Sequence, residues 1–422
     1  MVTFRVLSEH PLNAEPPLEG LSSPQNFVTP TTTTFHRNHG EIPSKDVATY
    51  SLAITSEVPG LSLNHTLSFA DLERARATDV ISAISCAGNR RREMNEAKEV
   101  EGLQWGGSAI ANSHFSGPLL RQVLEDLGIS LQSLLGAASL HIHFETSQKC
   151  EEAEYYGSSL PAAMALDPER PVLLATHMNG APLDANHGKP CRLVVPGIIG
   201  ARSVKWLERI VIRQHPSENF YMTRDYKILP PETTPETKEE DLKHVEPLME
   251  LPLNSEICEP VDGSDVEVAS GSTSIEVRGY ALGSRGTPIS SVKVALVPLP
   301  LSHASPSGPD TLPQHDLHRI RQTASELADD DWTHASLIDR DPGETTNRRD
   351  TDKNWAWTLF SATVALPDEV ATRIASGNVR VAFVAFATDA DGERQELQTP
   401  YNLRGVAEAS WPVSRVRFVH SG

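Results

Sequence analysis

Asp79-Val80-Ile81-Ser82-Ala83-Ile84-Ser85-Cys86-Ala87-Gly88-Asn89-Arg90-Arg91-Arg92 changes character twice along its length. Asp79 to Ser85 is a β-branched, alternating run, which predicts a strand. It stops abruptly at the small-residue turn Cys86-Ala87-Gly88-Asn89, and three consecutive arginines follow. Three guanidiniums near one thiol favour thiolate over thiol. They also hold an anion at the same place through charge-assisted, often bidentate hydrogen bonds. The plainer reading makes Cys86 a small buried hydrophobe and the arginines a solvated run. Taken alone, the segment suggests a thiolate nucleophile or a metal-ligating thiolate facing an anion.

The rest of the chain makes that cationic cluster stand out. Lysine plus arginine is 37 and aspartate plus glutamate 56, a net charge of −19. Such a chain is not a general nucleic-acid binder, and one that handles an anion must gather its positive charge locally. With 422 residues, 39% of them hydrophobic, two or three domains are expected at about 150 residues each. No apolar run approaches the roughly 18–20 residues of a membrane span, and Met1 to Gly20 has no apolar signal core. No membrane partner is expected. Four scattered cysteines (Cys86, Cys150, Cys191, Cys258) suit neither a disulfide scaffold nor a CxxC metal knuckle. A reduced compartment fits, with any special cysteine acting alone.

Outward from the strand, Glu9 to Thr34 is proline-rich and predicts an extended arm over residues 1–34. Ser51 to Ile54 and Gly60 to Leu67 predict short strands, Phe69 to Ala77 a helix, and Pro118 leads a helix ending at Gly128. Arg192 to Ile198 and Ser203 to Arg213 read as strands. Pro230 to Asp241, rich in Pro, Thr and acids, marks a boundary near residue 245. Beyond it, Ser274 to Ala281, Ser291 to Val297, Trp355 to Val364 and Asn378 to Thr388 are spaced like the strands of a small β-sandwich. The polar stretch from about 298 to 352, with His303, His315 and His318, reads mostly as a surface insertion.

Cys86-Ala87-Gly88-Asn89-Arg90-Arg91 resembles the molybdenum-ligating segment of the sulfite oxidase family of molybdopterin enzymes. Phe35-His36-Arg37-Asn38-His39-Gly40 is similar to the family's Arg-Asn-His segment, and Gly102-Leu103-Gln104-Trp105 to its Gly-x-x-Trp segment. Asn186-His187-Gly188-Lys189-Pro190, with Arg192 through Leu207, resembles a long consensus stretch. Asp225-Tyr226-Lys227 and Asn402-Leu403-Arg404-Gly405 complete the match. Phe115 sits where a tryptophan is common, and the polar insertion is longer than usual.

The resemblance implies an α+β fold: a mixed α/β molybdopterin-binding domain over residues 1–245, then an immunoglobulin-like dimerisation domain over 246–422. It implies a homodimer and an enzyme oxidising sulfite to sulfate. Cys86 would give the one protein thiolate to molybdenum, a soft ligand for a high-valent metal. Arg37, Arg91 and Arg404 would form the substrate pocket, since a compact, multiply charged anion needs donors that stay cationic. Trp105 would wall that pocket and Tyr226 would present a phenol to the metal's oxo group. Arg37, Asn38, His39, His187, Arg192, Ser203 and Lys205 match positions on the molybdopterin, whose phosphate calls for a second cationic cluster.

Eukaryotic nitrate reductases share the cysteine segment, but their counterparts of Tyr226 and Arg404 usually differ, so sulfite is favoured over nitrate. Phe220 to Lys227 resembles the plant-type, haem-free sulfite oxidases. No His-Pro-Gly-Gly haem segment and no Rossmann glycine fingerprint occur. No haem is expected, and the electrons are expected to pass to dioxygen or to a separate acceptor. Readings from other classes are a sandwich-type binding module and a zinc hydrolase using His141 and His143, two apart on one strand face. Cytoplasm is the default compartment, with peroxisome and mitochondrion left open, since His420-Ser421-Gly422 is not a Ser-Lys-Leu address.

Overall fold

The structure is a computed structural model that describes residues 2–136, 139–269, 271–299, 316–339, 353–376 and 379–421. The alternating run before Cys86 is the strand Ala77–Ser85, paired antiparallel with Ile110–Pro118 from one end to the other. His177–Met178 and Ala181–Pro182 extend this sheet to four strands. A second sheet has five, in the order Asn64–Ser68, Ser51–Ser56, Arg209–Arg213, His141–Glu145 and Gly157–Pro161. Ser51–Ser56 and Arg209–Arg213 run parallel and the other pairs antiparallel. Their period-2 apolar residues Leu52, Ile54, Ile142, Phe144, Ile210 and Ile212 share one buried cluster, as alternation across a pleated sheet requires.

Local sequence sets where helices start and stop. Ser68 Oγ accepts from the Asp71 amide at 3.3 Å while Asp71 accepts from the Ser68 amide at 2.7 Å. This capping box is worth about 1 kcal/mol and starts the helix Phe69–Arg74. Leu120–Asp126 buries Leu120, Val123 and Leu124, and Gly128 turns the chain away with φ +77°.

Two of the expected strands are shorter. The apolar run from Arg192 is strand only to Val194. Ser203 to Arg213 is strand only from Arg209. Gly200–Arg202 is a tight turn and Trp206 has φ +52°, a left-handed conformation that breaks a ladder. The alternation there comes from a buried loop, and Lys205 sits on that loop. The opening arm is more structured than expected: Arg5–Glu9 and Leu12–Glu15 form a hairpin. Pro24–Asn26 and Thr31–Thr33 are single turns along the rest of it.

The region after residue 250 is built from two sheets. One has the order Asn254–Glu259, Ser274–Leu282, Thr358–Ala365 and Ser336–Ile338. The other runs Asp265–Ala269, Val413–Ser421, Val379–Asp389, Ile289–Pro298 and Thr333–His334. Ile257, Val277 and Phe360 of the first pack with Val292, Val381, Phe383 and Phe418 of the second in one core. This is the face-to-face packing of a sandwich.

Part of the presumed insertion belongs to the core. His303 and His315 lie outside the described residues. Between them and residue 340, however, the helix Asp316–Ser325 buries Leu317, Ile320 and Ala324 against Trp332, Phe386 and Trp411. The Pro-rich segment before the sandwich is also tied down, since Leu229 and Leu242 pack with Leu403. Among the described residues no helix is long and apolar enough to cross a membrane.

Candidate active site

The strand Ala77–Ser85 delivers Cys86 to the meeting point of two clefts. One spans about 810 Å³, open solvent at its mouth included, and is lined by Phe35, His187, Arg192, Ser203, Lys205 and Trp206 among others. The second spans about 910 Å³ on the same measure and is lined by Asn13, Arg91, Gly102, Glu152, Asp225 and Arg404 among others. Arg37, Asn38, His39, Cys86 and Tyr226 line both. The Cys86 thiol is buried and accepts a hydrogen bond from the Gly88 amide at 3.4 Å.

Of the three consecutive arginines, only Arg91 lines these clefts. Its Nε donates to the carbonyls of Arg404 and Gly405 at 3.0 and 3.1 Å, and Nη1 to the Leu103 carbonyl at 2.9 Å. Three glycines make room for it. A Cβ on Gly88 or Gly102 would meet the guanidinium at 2.7 and 2.8 Å, and one on Gly405 would meet Arg91 Cγ at 2.7 Å. Burial lowers the Arg91 pKa and the charges of Arg404 and Arg37 press the same way, while Cys86 and Asp225 oppose them.

Arg90 turns the other way. It has φ +64° and is fully buried, bonded to Glu93, to Asn254 Oδ1 at 2.9 Å and to the Ser255 carbonyl at 2.8 Å, with Glu256 at 3.1 Å. Asn89 donates to the Tyr280 hydroxyl at 2.9 Å. The expectation of three guanidiniums around one thiol is thus corrected to one, with Arg37 and Arg404 arriving from distant parts of the chain.

Arg37 donates to Asn13 Oδ1 at 3.2 Å and to His39 Nδ1 at 3.1 Å. Burial works against its charge, but Tyr226, Cys86 and Asp225 outweigh that and raise its pKa. Arg404 pairs with Asp225 and with Glu101, the latter at 3.0 Å. Glu101 also receives Lys238, and these two donors keep its pKa low against burial. Burial raises the Tyr226 phenol pKa. Trp105 departs from expectation: it is fully buried, packed edge-on to Phe35 at 6.4 Å, and lines neither cleft. Its bulk supports the cleft wall from behind instead of forming it.

The first cleft carries the second cationic cluster. His187 Nδ1 donates to Asp184 at 2.8 Å, and burial lowers the His187 pKa. Burial also lowers that of Arg192 to about 10, and Arg192 stacks 5.5 Å over Phe115. His36 is pushed down to about 4 by burial, then by His187 and Lys205. His36 Nδ1, Asn186 Oδ1, His187 Nε2 and Arg192 Nε are buried with no hydrogen-bond partner. Of these, Asn186, His187 and Arg192 line the first cleft, and unpaired polar atoms on a cavity wall are costly unless a polar ligand meets them, so these three fit a large, anion-bearing cofactor. Ser203 Oγ accepts from the Val195 amide at 3.0 Å, leaving its own proton to donate.

Two residues expected on the cofactor act within the protein. Lys205 Nζ donates to the Arg37 carbonyl, to Asn38 Oδ1 and to the Asn186 carbonyl, which uses all three ammonium protons. Asn38 is likewise spent on Asn13, Leu12 and Lys205. They brace the Arg37 segment. The hairpin's Asn13 and the counter-charges Glu101 and Asp184 escaped sequence reasoning, because each gains its meaning only from a partner remote in the chain. The zinc pair is overturned: His143 is held by Arg213 and by the His215 carbonyl at 2.8 Å. Among the described residues no group of three or more His, Cys, Asp or Glu could hold a metal ion.

Residues 39–221 match the family described as the oxidoreductase molybdopterin binding domain. The chain is 31% identical to a sulfite oxidase of Arabidopsis thaliana, covering 99% of this chain and 95% of that one. It is 35% identical to the mitochondrial sulfite oxidase of Homo sapiens, over 97% of this chain and 64% of that one, so it spans just under two thirds of that relative. A nitrate reductase of Phaseolus vulgaris is 34% identical over 69% of this chain and 33% of its own length. The sulfane dehydrogenase SoxCD of Paracoccus pantotrophus superposes with a TM-score of 0.67 at 20% identity, over 98% of this chain and 87% of that one, which bears on the fold alone.

Proposed function

The chain belongs to the sulfite oxidase family of molybdopterin-binding oxidoreductases, and from that premise we propose that it oxidises sulfite to sulfate. The observation that carries the reading is the second cleft. Arg37, Arg91 and Arg404 line one space with Tyr226 and Cys86, inside a chain of net charge −19. A cluster of cations at one place in an acidic molecule is what a compact, multiply charged oxyanion needs. Nitrate, singly charged and planar, needs fewer, and the joint presence of Tyr226 and Arg404 favours sulfite.

In this reading Cys86 holds the molybdenum of a molybdopterin. Arg192, His187 and Ser203 meet the pterin and its phosphate in the first cleft. When bound, the cofactor supplies an oxygen atom and takes up two electrons. The chain's own residues do the rest. Arg91, held rigid by three carbonyls and three glycines, and Arg404, held by Asp225 and Glu101, bind and orient the anion at little cost in side-chain entropy. Tyr226 offers a hydroxyl proton at the junction of the clefts. Overall, sulfite and water give sulfate, two protons and two electrons. We assign the electrons to dioxygen, which becomes hydrogen peroxide, or to a separate acceptor protein, with no haem in the route. Residues 1–245 form the molybdopterin domain, and 246–422 an immunoglobulin-like domain that pairs two chains.

Metal analysis of the purified chain, followed by turnover with sulfite and with nitrate, tests this. About one molybdenum per chain with sulfite turnover is expected. A metal-free chain, or nitrate turnover alone, would sink it. Peroxide formed in step with sulfite consumed supports dioxygen as acceptor, and strict dependence on added cytochrome c rules it out.

A further inference from the structure

His39 lies at the junction of the clefts, and both its ring nitrogens are engaged by groups of unlike kind. Nδ1 is 3.1 Å from an Arg37 Nη, and Nε2 is 2.7 Å from the Tyr226 hydroxyl. A guanidinium donates and has no lone pair to offer, so Nδ1 is the acceptor in that contact and carries no proton. Burial, then Arg37, Lys205 and Arg404, hold the His39 pKa well below the usual histidine range. The ring is neutral, and its one proton sits on Nε2. That N–H donates to the Tyr226 oxygen.

The ring has no freedom to flip this arrangement. Tyr221 packs on it at 4.1 Å between centroids, Tyr156 stacks at 5.2 Å, and Tyr226 meets it edge-on at 5.9 Å and 90°. A phenol oxygen that accepts from His39 must point its own proton elsewhere, and Tyr226 lines both clefts beside Cys86.

We propose that His39 is a positioning residue: Arg37 fixes its tautomer, and the fixed tautomer turns the Tyr226 hydroxyl proton out of the protein and into the cleft. No ring nitrogen is then left for a cofactor, which revises the role that the Arg-Asn-His resemblance implies. Only the kinetic arm of the test rests on sulfite oxidation. The tautomer arm needs neither substrate nor metal, so its failure is distinguishable from failure of the functional reading.

The first measurement is nitrogen-15 NMR of the histidine-labelled chain, with the His39 signals assigned by their loss in His39→Gln. Between pH 6 and 8 a protonated Nε2 and a bare Nδ1 are expected. A proton on Nδ1, alone or in the imidazolium, overturns the proposal. The second compares variants in the metal-loaded enzyme. His39→Gln can still accept from Arg37 and donate to Tyr226, and is expected to keep kcat within about threefold. His39→Leu is expected to lose about 10–100-fold in kcat, the lower part of the range for a misplaced proton donor, with KM for sulfite little changed. In a Tyr226→Phe background His39→Leu should cost nothing further, because the two act as one unit. Full additivity of the two losses, or no rescue by glutamine over leucine, overturns it.

Discussion

Arg404 reaches the second cleft already flanked by Asp225 and Glu101, and Glu101 is itself shared with Lys238. An incoming anion therefore competes with a resident carboxylate. Glu101→Gln keeps the shape and removes one negative charge, so KM for sulfite should fall several-fold with kcat near wild type. Arg404→Met removes a charge-assisted contact worth about 1.5–3 kcal/mol, and KM should rise about 10–100-fold. Steady-state kinetics decides both. Among the described residues the Cys86 sulfur bonds to the Gly88 amide alone, so Cys86→Ser should keep the melting temperature yet lose molybdenum and turnover together. Against His187, His36 has its folded pKa lowered to about 4. Folding therefore favours the neutral ring. Its contribution is complete above pH 6.5 and is lost as the pH falls toward 4. After discounting for partial exposure this is on the order of 1–2 kcal/mol. Melts of cofactor-free wild type and His36→Gln should converge toward pH 4 if this holds.

The Cys86–Arg92 element divides its labour by residue. Cys86 and Arg91 face the clefts, while Asn89 and Arg90 leave for Tyr280, Asn254 and Glu256 across the molecule. Arg90→Met would leave the Glu93 carboxylate with Arg321 as its remaining cation and the buried Asn254 and Ser255 oxygens without their donor. A cost of about 3–5 kcal/mol is expected, read as a lowered midpoint in denaturant. Gly88→Ala acts differently: its Cβ would meet the Arg91 guanidinium at 2.7 Å. It should raise KM for sulfite while leaving stability within about 1 kcal/mol, as for a displaced side-chain tip. This element was legible in sequence as a strand ending in a reactive turn, because period-2 alternation and a small-residue stop are local signals. What each arginine does was not legible, since neighbours in sequence face opposite ways once φ at Arg90 is positive. Lys205 was misread for the same kind of reason: alternating apolar residues occur in a buried loop as well as in a strand. The helix Asp316–Ser325 hid because only Leu317, Ile320 and Ala324 are apolar on its inner face, within an otherwise hydrophilic run.

At the scale of the whole molecule, the site is a meeting of segments that the chain keeps far apart. The hairpin brings Asn13, the loop after it Arg37, the strand Ala77–Ser85 Cys86, and the last stretch Arg404 with two of the carbonyls that hold Arg91. Turn spacing predicts a sandwich beyond the Pro-rich stretch near residue 235, and the two sheets that follow residue 250 do share one core. The sandwich's interdependence with the residues before it was not legible, since the contacts that create it are tertiary. A chain ending at residue 245 loses Arg404, Tyr280 and Glu256 at once. It should fail to retain molybdenum, as metal analysis after gel filtration will report. Sedimentation of the full chain at micromolar concentration should give twice the 46.1 kDa chain mass.

The hydrogen bond from Asn89 to Tyr280 has a consequence for how the protein comes apart. Phe27 crosses in the other direction, its carbonyl accepting from the Trp357 indole at 3.0 Å. With straps running both ways, neither half can melt and leave its neighbour standing. Calorimetry should record a single endotherm whose calorimetric and van't Hoff enthalpies agree for the cooperative unit. The same heat that frees the sandwich should release the metal.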